Sequence, residues 1–418
     1  MKISLKFGHE LVEVDLPDKN YIGEMRPKTS KIDESEESII AAALVSPIGT
    51  PRLRNLVSPG EKICVVTSDI TRPCPSHLLL PPVLRELAEA GVPDDDITVV
   101  LALGIHRPHT DEEKSRLVGP EIFKRFRVVD HDPSRCRQLG RTKWGTPVDV
   151  FEVVADADRR ICLGNVEYHY FAGYSGGAKA LMPGVSSHEA IQNNHKMMIQ
   201  DEAEASRLDD NPVRQDIETI TDFLPIDFIV NVILGEDKKV KAAFTGHHLE
   251  AHRAACRRLD EMYMVPISPP GADIVLVSAG GYPKDINIYQ AQKALDNAAR
   301  AVRPGGVIIW VSACDEGYGE DTFANWLKEA GCAADLVERV KRDFQLGGHK
   351  AAAIALVLNK AQVYMVSNLP PEMASTLFVT PFADVTSALD AALKETGPNS
   401  KILVMPYGGS TLPMILKP

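Results

Sequence analysis

Short apolar runs alternate with segments of helical spacing along most of the chain, and this alternation constrains the fold more than any other feature. Residues 62–67 and 97–103 form β-branched runs long enough for one strand each, and residues 81–90 between them show helical spacing. Residues 3–14 alternate with a period of two, which predicts an opening hairpin or an edge strand. Further strand-like runs lie at residues 159–164, 228–234, 274–278, 307–312, 362–366 and 401–405, and further helical segments at 249–263, 289–302, 322–330, 350–359 and 383–394. The pattern predicts an α/β fold with largely parallel or mixed sheets.

A cluster of Pro and Gly residues at 268–271 interrupts this alternation. We therefore predict two α/β domains, at residues 1–267 and 268–418. A cleft between two such domains is a common place for a substrate, so we expect an active site there.

The composition excludes several classes of protein. The 46 Lys and Arg residues against 57 Asp and Glu residues give a formal charge of −11, which argues against general nucleic-acid binding. No apolar run reaches transmembrane length, and the N-terminus lacks the apolar core of a signal peptide. The seven cysteines are scattered without a Cys-x-x-Cys pair, so neither a disulfide framework nor a zinc knuckle is indicated. We expect a cytoplasmic protein that binds neither a membrane nor nucleic acid, with its oligomeric state left open.

Polar residues directly follow the strands predicted at residues 62–67 and 97–103, where parallel sheets place their ligands. The first loop, SDITRP, holds an acid, two hydroxyls and Arg72, whose planar guanidinium matches a carboxylate or a phosphate. The second loop, GIHRPH, carries His106, which can exchange protons near neutral pH. The structural alternatives are a helix cap for the first loop and a surface turn for the second.

A glycine-rich loop in the first predicted domain contains Gly176 and Gly177, followed by Lys179. Adjacent glycines before a Lys suggest backbone N–H groups that surround a phosphate, so we expect a phosphate on Ser175, Gly176 and Gly177. The alternative is a flexible connector. The loop is not a nucleoside-triphosphate P-loop, because Lys179 does not follow a glycine and Ala180 replaces the Ser or Thr that would bind magnesium.

Two further polar groups are ambiguous when each is taken alone. His195 is not at a zinc-helix spacing from His169, and a lone histidine is more often structural than a ligand. In the second predicted domain, Gln290 and Lys293 lie three residues apart and therefore share a helix face. That face could line a cleft, or it could be an ordinary solvated surface.

Taken together, these segments resemble the nickel-pincer lactate racemase family. The trio of His169, Lys179 and His195, with gaps of ten and sixteen residues, is the most specific part of the resemblance. The motifs that carry the resemblance, in order over most of the chain, are SDITRP at 68–73, GIHRPH at 104–109, HYFAGYSGGAKALMPG at 169–184, NNH at 193–195 and PKDINIYQAQKA at 283–294.

The resemblance implies a role for each of these residues. Nickel is held in a pyridinium-3,5-bisthiocarboxylic acid mononucleotide, the nickel-pincer nucleotide, which is attached covalently to Lys179, and His195 is a further nickel ligand. His106 and His169 are the paired acid and base. The other expected cofactor-binding residues are Asp69, Thr71, Ser175, Gly176, Gly177 and Tyr289, and the substrate-binding residues are Arg72, Gln290 and Lys293. The first domain then carries the cofactor and the catalytic residues, and the second contributes substrate-binding residues.

The activity implied is racemisation or epimerisation of a lactate-type 2-hydroxy acid by reversible hydride transfer to the cofactor. Separate maturation enzymes, which supply the cofactor, are the implied protein partners. Two alternatives stay open. An enzyme of the same fold could act on a larger hydroxy acid, such as a sugar acid or a malate-type substrate. A non-catalytic protein could bind the cofactor or another small anion, although such a binder needs no acid–base pair.

Overall fold

The protein consists of two compact units. The terminal unit comprises Met1–Lys28 together with Glu261–Pro418, and the middle unit comprises Thr29–Asp260. The computed structural model describes residues 1–26, 34–235, 237–268, 270–345 and 347–415.

Strands and helices alternate through both units. The described strands are β1 (Lys2–Phe7), β2 (Glu10–Asp15), β3 (Tyr21–Glu24), β4 (Ile63–Ser68), β5 (Ile97–Ala102), β6 (Arg127–Asp130), β7 (Cys136–Arg141), β8 (Pro147–Phe151), β9 (Arg159–Asn165), β10 (Tyr168–His169), β11 (Gly173–Tyr174), β12 (Phe228–Leu234), β13 (Val240–Gly246), β14 (Met264–Ile267), β15 (Ala272–Ser278), β16 (Val302–Val311), β17 (Gln362–Val366), β18 (Thr380–Phe382), β19 (Ile402–Met405) and β20 (Leu412–Ile415). The described α-helices are α1 (Glu36–Val45), α2 (Ser76–Glu89), α3 (Asp111–Val118), α4 (Pro120–Arg125), α5 (Glu152–Ala155), α6 (His188–Lys196), α7 (Pro212–Thr219), α8 (Glu250–Tyr263), α9 (Ile288–Ala301), α10 (Asp321–Glu329), α11 (Ala333–Arg342), α12 (Gly348–Leu358), α13 (Pro371–Ser375) and α14 (Val385–Thr396).

A six-stranded sheet in the order β13-β12-β9-β4-β5-β6 forms the centre of the middle unit. Its neighbouring strands are parallel, except for the antiparallel pair β12 and β13. Val65 of β4 packs into the core on one face of the sheet, whereas Cys64 and Val66 pack into the core on the other. α2 contributes to the first core and α7 to the second. A short β-branched run is therefore buried on both faces, as is typical of a parallel sheet covered by helices.

The terminal unit has its own six-stranded sheet, in the order β18-β17-β16-β15-β19-β3 and parallel throughout. The β1–β2 hairpin adds Ile3 and Leu5 to the same core as Ile274. In β3, Tyr21 lies opposite Ile402 of β19. The observed grouping therefore differs from the predicted division at residue 267, because long-range strand pairing joins the first 28 residues to the C-terminal segment.

The predicted α/β class with parallel and mixed sheets is confirmed. The period-two segment near the N-terminus forms the expected hairpin, β1 with β2. Among the described residues, no helix combines the length and the apolar character that crossing a membrane requires. The expected active-site cleft between two domains stays a prediction.

Candidate active site

Asp69 and His106 lie on loops that leave the same edge of the middle sheet. Ser68 and Ala102, which end β4 and β5, are opposite each other in the parallel register, so the following loops start side by side. The Asp69 side chain is 2% exposed, and its Oδ2 lies 2.6 Å from Nδ1 of His106. Because a carboxylate only accepts hydrogen bonds, Nδ1 of the neutral imidazole donates this bond and Nε2 retains the lone pair of a base.

The residues beside Asp69 complete this part of the site. The Thr71 hydroxyl donates to Asp69 at 2.9 Å and lies 3.2 Å from Nδ1 of His106, so Thr71 supports the pair. Arg72 is exposed, and no acid in the described part of the chain forms an ion pair with it. An exposed guanidinium beside a base is suited to hold a substrate carboxylate.

A second histidine, His109, connects the loop that follows β5 to the loop that follows β4. Its Nδ1 lies 2.7 Å from Oδ1 of Asp130 at the end of β6, and its Nε2 accepts a hydrogen bond of 3.1 Å from the Ile70 N–H. His109 is 7% exposed, and both of its ring nitrogens are engaged. We therefore assign it a structural role that keeps the Asp69 loop in register with the His106 loop.

Three of the predicted site residues lie around the ring of Phe171. Its centroid lies 4.5 Å from the ring of His169, 4.8 Å from the ring of His195 and 5.9 Å from Nζ of Lys179. Phe171 is 2% exposed, so the three polar side chains are arranged around a fixed apolar wall. We call Phe171 and these three residues the Phe171 cluster. Residues separated by up to 26 positions in the sequence thus meet at one point, as the predicted trio requires.

His169 presents its ring differently from His106. Its Nδ1 accepts a hydrogen bond of 3.3 Å from the backbone N–H of Ala172. Neutral His169 therefore carries its hydrogen on Nε2, whereas neutral His106 has its lone pair there. In their neutral forms, Nε2 is thus a hydrogen-bond acceptor in His106 and a hydrogen-bond donor in His169.

The glycine-rich loop is tightly packed against the rest of the middle unit. Gly176 and Gly177 have φ values of 77° and 60°, in the left-handed region that favours glycine. A Cβ on Gly176 would lie 2.7 Å from Oδ1 of Asn231, and a Cβ on Gly177 would lie 3.0 Å from the ring of His252. The expected alternative of a flexible connector does not describe this loop.

The loop's hydrogen-bonding groups point inward, which argues against the expected phosphate site on Ser175, Gly176 and Gly177. The Gly177 N–H donates to Oδ1 of Asn231 at 2.9 Å. The Ser175 hydroxyl donates to the Asn165 carbonyl at 2.8 Å and accepts from the Glu167 N–H at 2.9 Å. The segment that follows is a 3-10 helix of only four residues, Gly177–Ala180, so it has no helix dipole of useful size. The Gly177 N–H and the Ser175 hydroxyl, which would have to donate to a phosphate, therefore already donate to other groups of the protein.

His195, the predicted metal ligand, is a nearly buried residue of the middle unit. It lies near the end of α6, is 8% exposed, and has Nδ1 at 3.2 Å from Oδ1 of Asn194. In the described ranges, no three His, Cys, Asp or Glu side chains converge as in a metal site made by protein alone.

The predicted residues of the terminal unit lie at the start of α9. Tyr289, Gln290 and Lys293 are partly exposed, whereas Ile288 and Ala291 beside them are buried. The shared face expected for Gln290 and Lys293 is therefore the open face of the helix.

Lys350 adds a cation that the sequence analysis did not single out. It is 5% exposed, its Nζ lies 3.8 Å from the Tyr289 ring centroid, and the same Nζ donates to the Tyr289 carbonyl. Its position within the largely apolar helix α12 gives no sequence signal for such a contact. Lys350 therefore contacts both the ring and the backbone carbonyl of Tyr289 and limits their movement.

A cavity of about 550 Å³ in the middle unit has His106 in its lining. Arg127, His131 and His188 also line the cavity, which has an apolar floor that includes Phe151. His131 is 2% exposed, and neither of its ring nitrogens forms a hydrogen bond of regular geometry among the described residues, although the Ser186 backbone lies close to the ring. Burial lowers the pKa of His131 to about 4, so its imidazole is neutral at physiological pH.

Cys74 lies two residues after Arg72 but is not a nucleophile. It is 8% exposed, and burial raises the pKa of its thiol to about 11. The thiolate, which is the reactive form, is therefore scarce at neutral pH.

Comparison with known proteins agrees with this arrangement. Residues 7–206 match the lactate racemase N-terminal domain family, and residues 267–412 match the lactate racemase C-terminal domain family. The chain is 33% identical to the lactate racemase of Thermoanaerobacterium thermosaccharolyticum over 98% of each chain. It is 30% identical to the lactate racemase of Lactiplantibacillus plantarum over 97% of this chain and 98% of that relative.

Solved structures give the same result. The lactate racemase apoprotein from Thermoanaerobacterium thermosaccharolyticum superimposes with a TM-score of 0.93 at 32% identity, covering 99% of this chain and 100% of that chain. A protein from Thermotoga maritima shares the fold at 20% identity, with a TM-score of 0.68 over 91% of this chain and 98% of its own. The resemblance drawn from the sequence motifs is confirmed: the chain belongs to the lactate racemase family and is an isomerase.

Proposed function

We propose that the protein interconverts the two enantiomers of a 2-hydroxy acid of the lactate type. The Phe171 cluster is the observation that carries this proposal, because it joins an amine, a metal-binding imidazole and an acid–base histidine around one ring. The relatives named lactate racemase support lactate as the first substrate to test.

The chemistry of the side chains fits a tethered nickel-pincer nucleotide. Lys179 has the primary amine that an amide linkage needs, and His195 has an imidazole suited to nickel. When bound, the cofactor supplies a reversible hydride acceptor, which no side chain provides. We assign its attachment to Lys179 and its protein metal ligand to His195.

The remaining residues hold the substrate and move its hydroxyl proton. Nε2 of His106 has the lone pair needed to take that proton, because Asp69 occupies Nδ1. Nε2 of His169 carries a hydrogen that can be donated in a hydrogen bond to the substrate oxygen, and proton transfer from this atom requires the imidazolium form, which becomes the neutral imidazole. Two histidines are needed because the two enantiomers present their hydroxyls in different directions. We assign the substrate carboxylate to Arg72 of the middle unit, further substrate-binding roles to Gln290 and Lys293 of the terminal unit, and a cofactor-binding role to Tyr289.

Conversion of one enantiomer of lactate, deuterated at C2, by the cofactor-loaded full-length protein tests this function. We expect the opposite enantiomer to accumulate to an equal amount, with deuterium retained at C2 because hydrogen moves as hydride. Loss of deuterium to water would instead indicate proton abstraction and overturn the hydride step. A protein that carries the cofactor but converts no hydroxy acid would be the non-catalytic binder.

The cavity beside His106 favours a second candidate, a larger 2-hydroxy acid. Its volume of about 550 Å³ is in the range of sites for drug-sized ligands and is several times what lactate needs. The buried nitrogens of His131 form no hydrogen bond of regular geometry among the described residues, and native structures rarely leave such atoms unsatisfied. A sugar acid or a malate-type acid has the additional polar atoms that could meet them. A panel of hydroxy acids, ranked by kcat/KM, separates this candidate from lactate.

Two further expectations belong to the same proposal. Cofactor-maturation enzymes are the proposed protein partners, as the family resemblance implies. A cytoplasmic location stays a prediction, to be checked by cell fractionation.

A further inference from the structure

We infer that Asp216 and Asn194 are positioning residues that hold His195 in its Nδ1–H form and reserve its Nε2 for the metal. The inference rests on the proposed function, in which His195 is a nickel ligand. It extends that function to Asp216, which lies outside the motifs of the sequence analysis, and to Asn194, the second residue of the NNH motif.

The starting point is Asp216 on α7, a carboxylate that is 1% exposed. Its oxygens accept hydrogen bonds from the hydroxyl of Thr142, from the hydroxyl of Thr146 at 2.8 Å, and from Nδ2 of Asn194 at 2.8 Å. No cation in the described part of the chain forms an ion pair with Asp216. Burying a carboxylate is costly unless it is hydrogen-bonded, so three neutral donors hold it in one place.

Asp216 determines which way the Asn194 amide faces. Nδ2 of Asn194 lies 2.8 Å from the Asp216 carboxylate and 3.2 Å from the Val213 carbonyl. Both partners only accept hydrogen bonds, so the NH2 group must occupy this side and Oδ1 must occupy the other. Asn194 is 0% exposed, which leaves no water to stabilise the reversed amide.

The orientation of Asn194 in turn determines the tautomer of His195. Oδ1 of Asn194 lies 3.2 Å from Nδ1 of His195 and needs a hydrogen from it. With the hydrogen on Nδ1, the lone pair of the neutral ring is on Nε2. Histidines that bind metals commonly donate their other N–H to a fixed acceptor in this way. The Phe171 ring, whose centroid lies 4.8 Å from that of the imidazole at an interplanar angle of 70°, limits rotation of the imidazole.

The first test examines the tautomer in the protein without its cofactor. Long-range 1H–15N spectra of the full-length protein without cofactor distinguish the two tautomers, and loss of one signal in His195→Gln assigns the residue. We expect Nδ1 of His195 to be protonated. A hydrogen on Nε2 would overturn the inference.

The second test uses variants with a matched control on the same helix. In Asn194→Leu and Asp216→Asn, we expect the Nδ1–H signal of His195 to weaken and the protein loaded with nickel-pincer nucleotide to lose nickel to a chelator about 10–100-fold faster. Asn193→Leu alters the adjacent residue, whose side-chain amide donates to the Glu189 carbonyl at 3.0 Å, and should behave like the unaltered protein. Unchanged tautomer and nickel release in Asn194→Leu would overturn the inference.

A further variant separates failure of the inference from failure of the proposed function. Full nickel retention by His195→Ala would show that His195 is not the ligand, which would overturn the function as proposed. Rapid nickel loss from His195→Ala together with normal retention in both positioning variants would overturn the inference alone.

Discussion

Oδ2 of Asp69 lies 2.6 Å from Nδ1 of His106, although the two residues are 37 positions apart in the sequence. Both belong to the middle unit, and the contact follows from the parallel pairing of β4 with β5. The pair is therefore built into the fold of one unit, and it determines which imidazole nitrogen is available as a base.

Asp69→Asn should lower kcat about 10²–10⁴-fold, the range for loss of a positioned acid–base group. The amide can turn its NH2 toward Nδ1 of His106, which moves the imidazole hydrogen to Nε2 and removes the base. Steady-state rates from each enantiomer measure the effect. Asp111→Asn, on the exposed side of α3, is the control and should leave kcat unchanged. Normal kcat in Asp69→Asn would show that the tautomer does not matter.

Lys179→Ala should eliminate both the covalent mass increment and the racemase activity. The reason is that the proposed linkage uses the Lys179 amine, and no other side chain of the Phe171 cluster has one. Intact-mass spectrometry with nickel analysis, before and after loading, provides the measurement. Lys196→Ala removes an exposed lysine at the end of α6 and should keep the increment. An increment that persists in Lys179→Ala would place the attachment elsewhere.

His131→Leu should change substrate preference more than it changes catalysis. Its ring lines the cavity beside His106, and its nitrogens form no hydrogen bond of regular geometry among the described residues. Leucine has similar bulk but no polar atom, so kcat/KM for a polar, larger hydroxy acid should fall about tenfold or more, as for loss of one buried hydrogen bond. The value for lactate should stay within about twofold. Equal losses for both acids would mean that the cavity does not select the substrate.

The terminal unit should lose stability in acid because of His349. Burial, aided by the charge of Lys350, lowers the pKa of His349 from 6.5 to about 3. Between pH 6.5 and about 3, His349 is therefore protonated in the unfolded chain but neutral in the folded chain. The free energy of unfolding is unaffected by the titration of this residue above pH 6.5 and decreases as the pH falls toward 3. The slope for one such group is at most about 1.4 kcal/mol per pH unit.

Urea unfolding followed by tryptophan fluorescence at several pH values tests this, because the buried Trp310 and Trp326 both belong to the terminal unit. His349→Asn keeps an acceptor for the Gly347 N–H, which donates to Nδ1 of His349 at 3.1 Å, but it does not titrate. Its stability should decline less steeply in acid. His77→Asn, at an exposed position, should retain the original slope, and identical slopes in all three proteins would contradict the prediction.

The sequence was sufficient for the elements whose apolar residues follow a simple period. β4 and β5 lie within a residue or so of the predicted runs because both are buried on two faces. α6 was not predicted, because its buried face includes Asn194 and His195 together with Ile191, and polar residues at core positions hide the helical period. The helix begins at a capping serine, Ser187, whose hydroxyl accepts from the Ala190 N–H at 3.2 Å.

Some residues of the candidate site could likewise be predicted from the sequence, and others could not. The family motifs placed His169, Lys179 and His195 in one cluster, and the geometry around Phe171 agrees. Local pattern reasoning placed a phosphate on the glycine-rich loop, but a glycine pair that packs against Asn231 has the same sequence as one that binds an anion. Asp216 had no signal at all, since its partners Thr142 and Thr146 come about 70 positions earlier.

The pairing of β3 with β19 also has a consequence for synthesis of the protein on the ribosome. Tyr21 leaves the ribosome long before its partner Ile402 is made. The middle unit is complete before that point, so it can fold while the opening strands still lack the sheet that they will join. β3 therefore stays unpaired until β19 has been made, and its length of only four residues limits pairing of this edge with other chains.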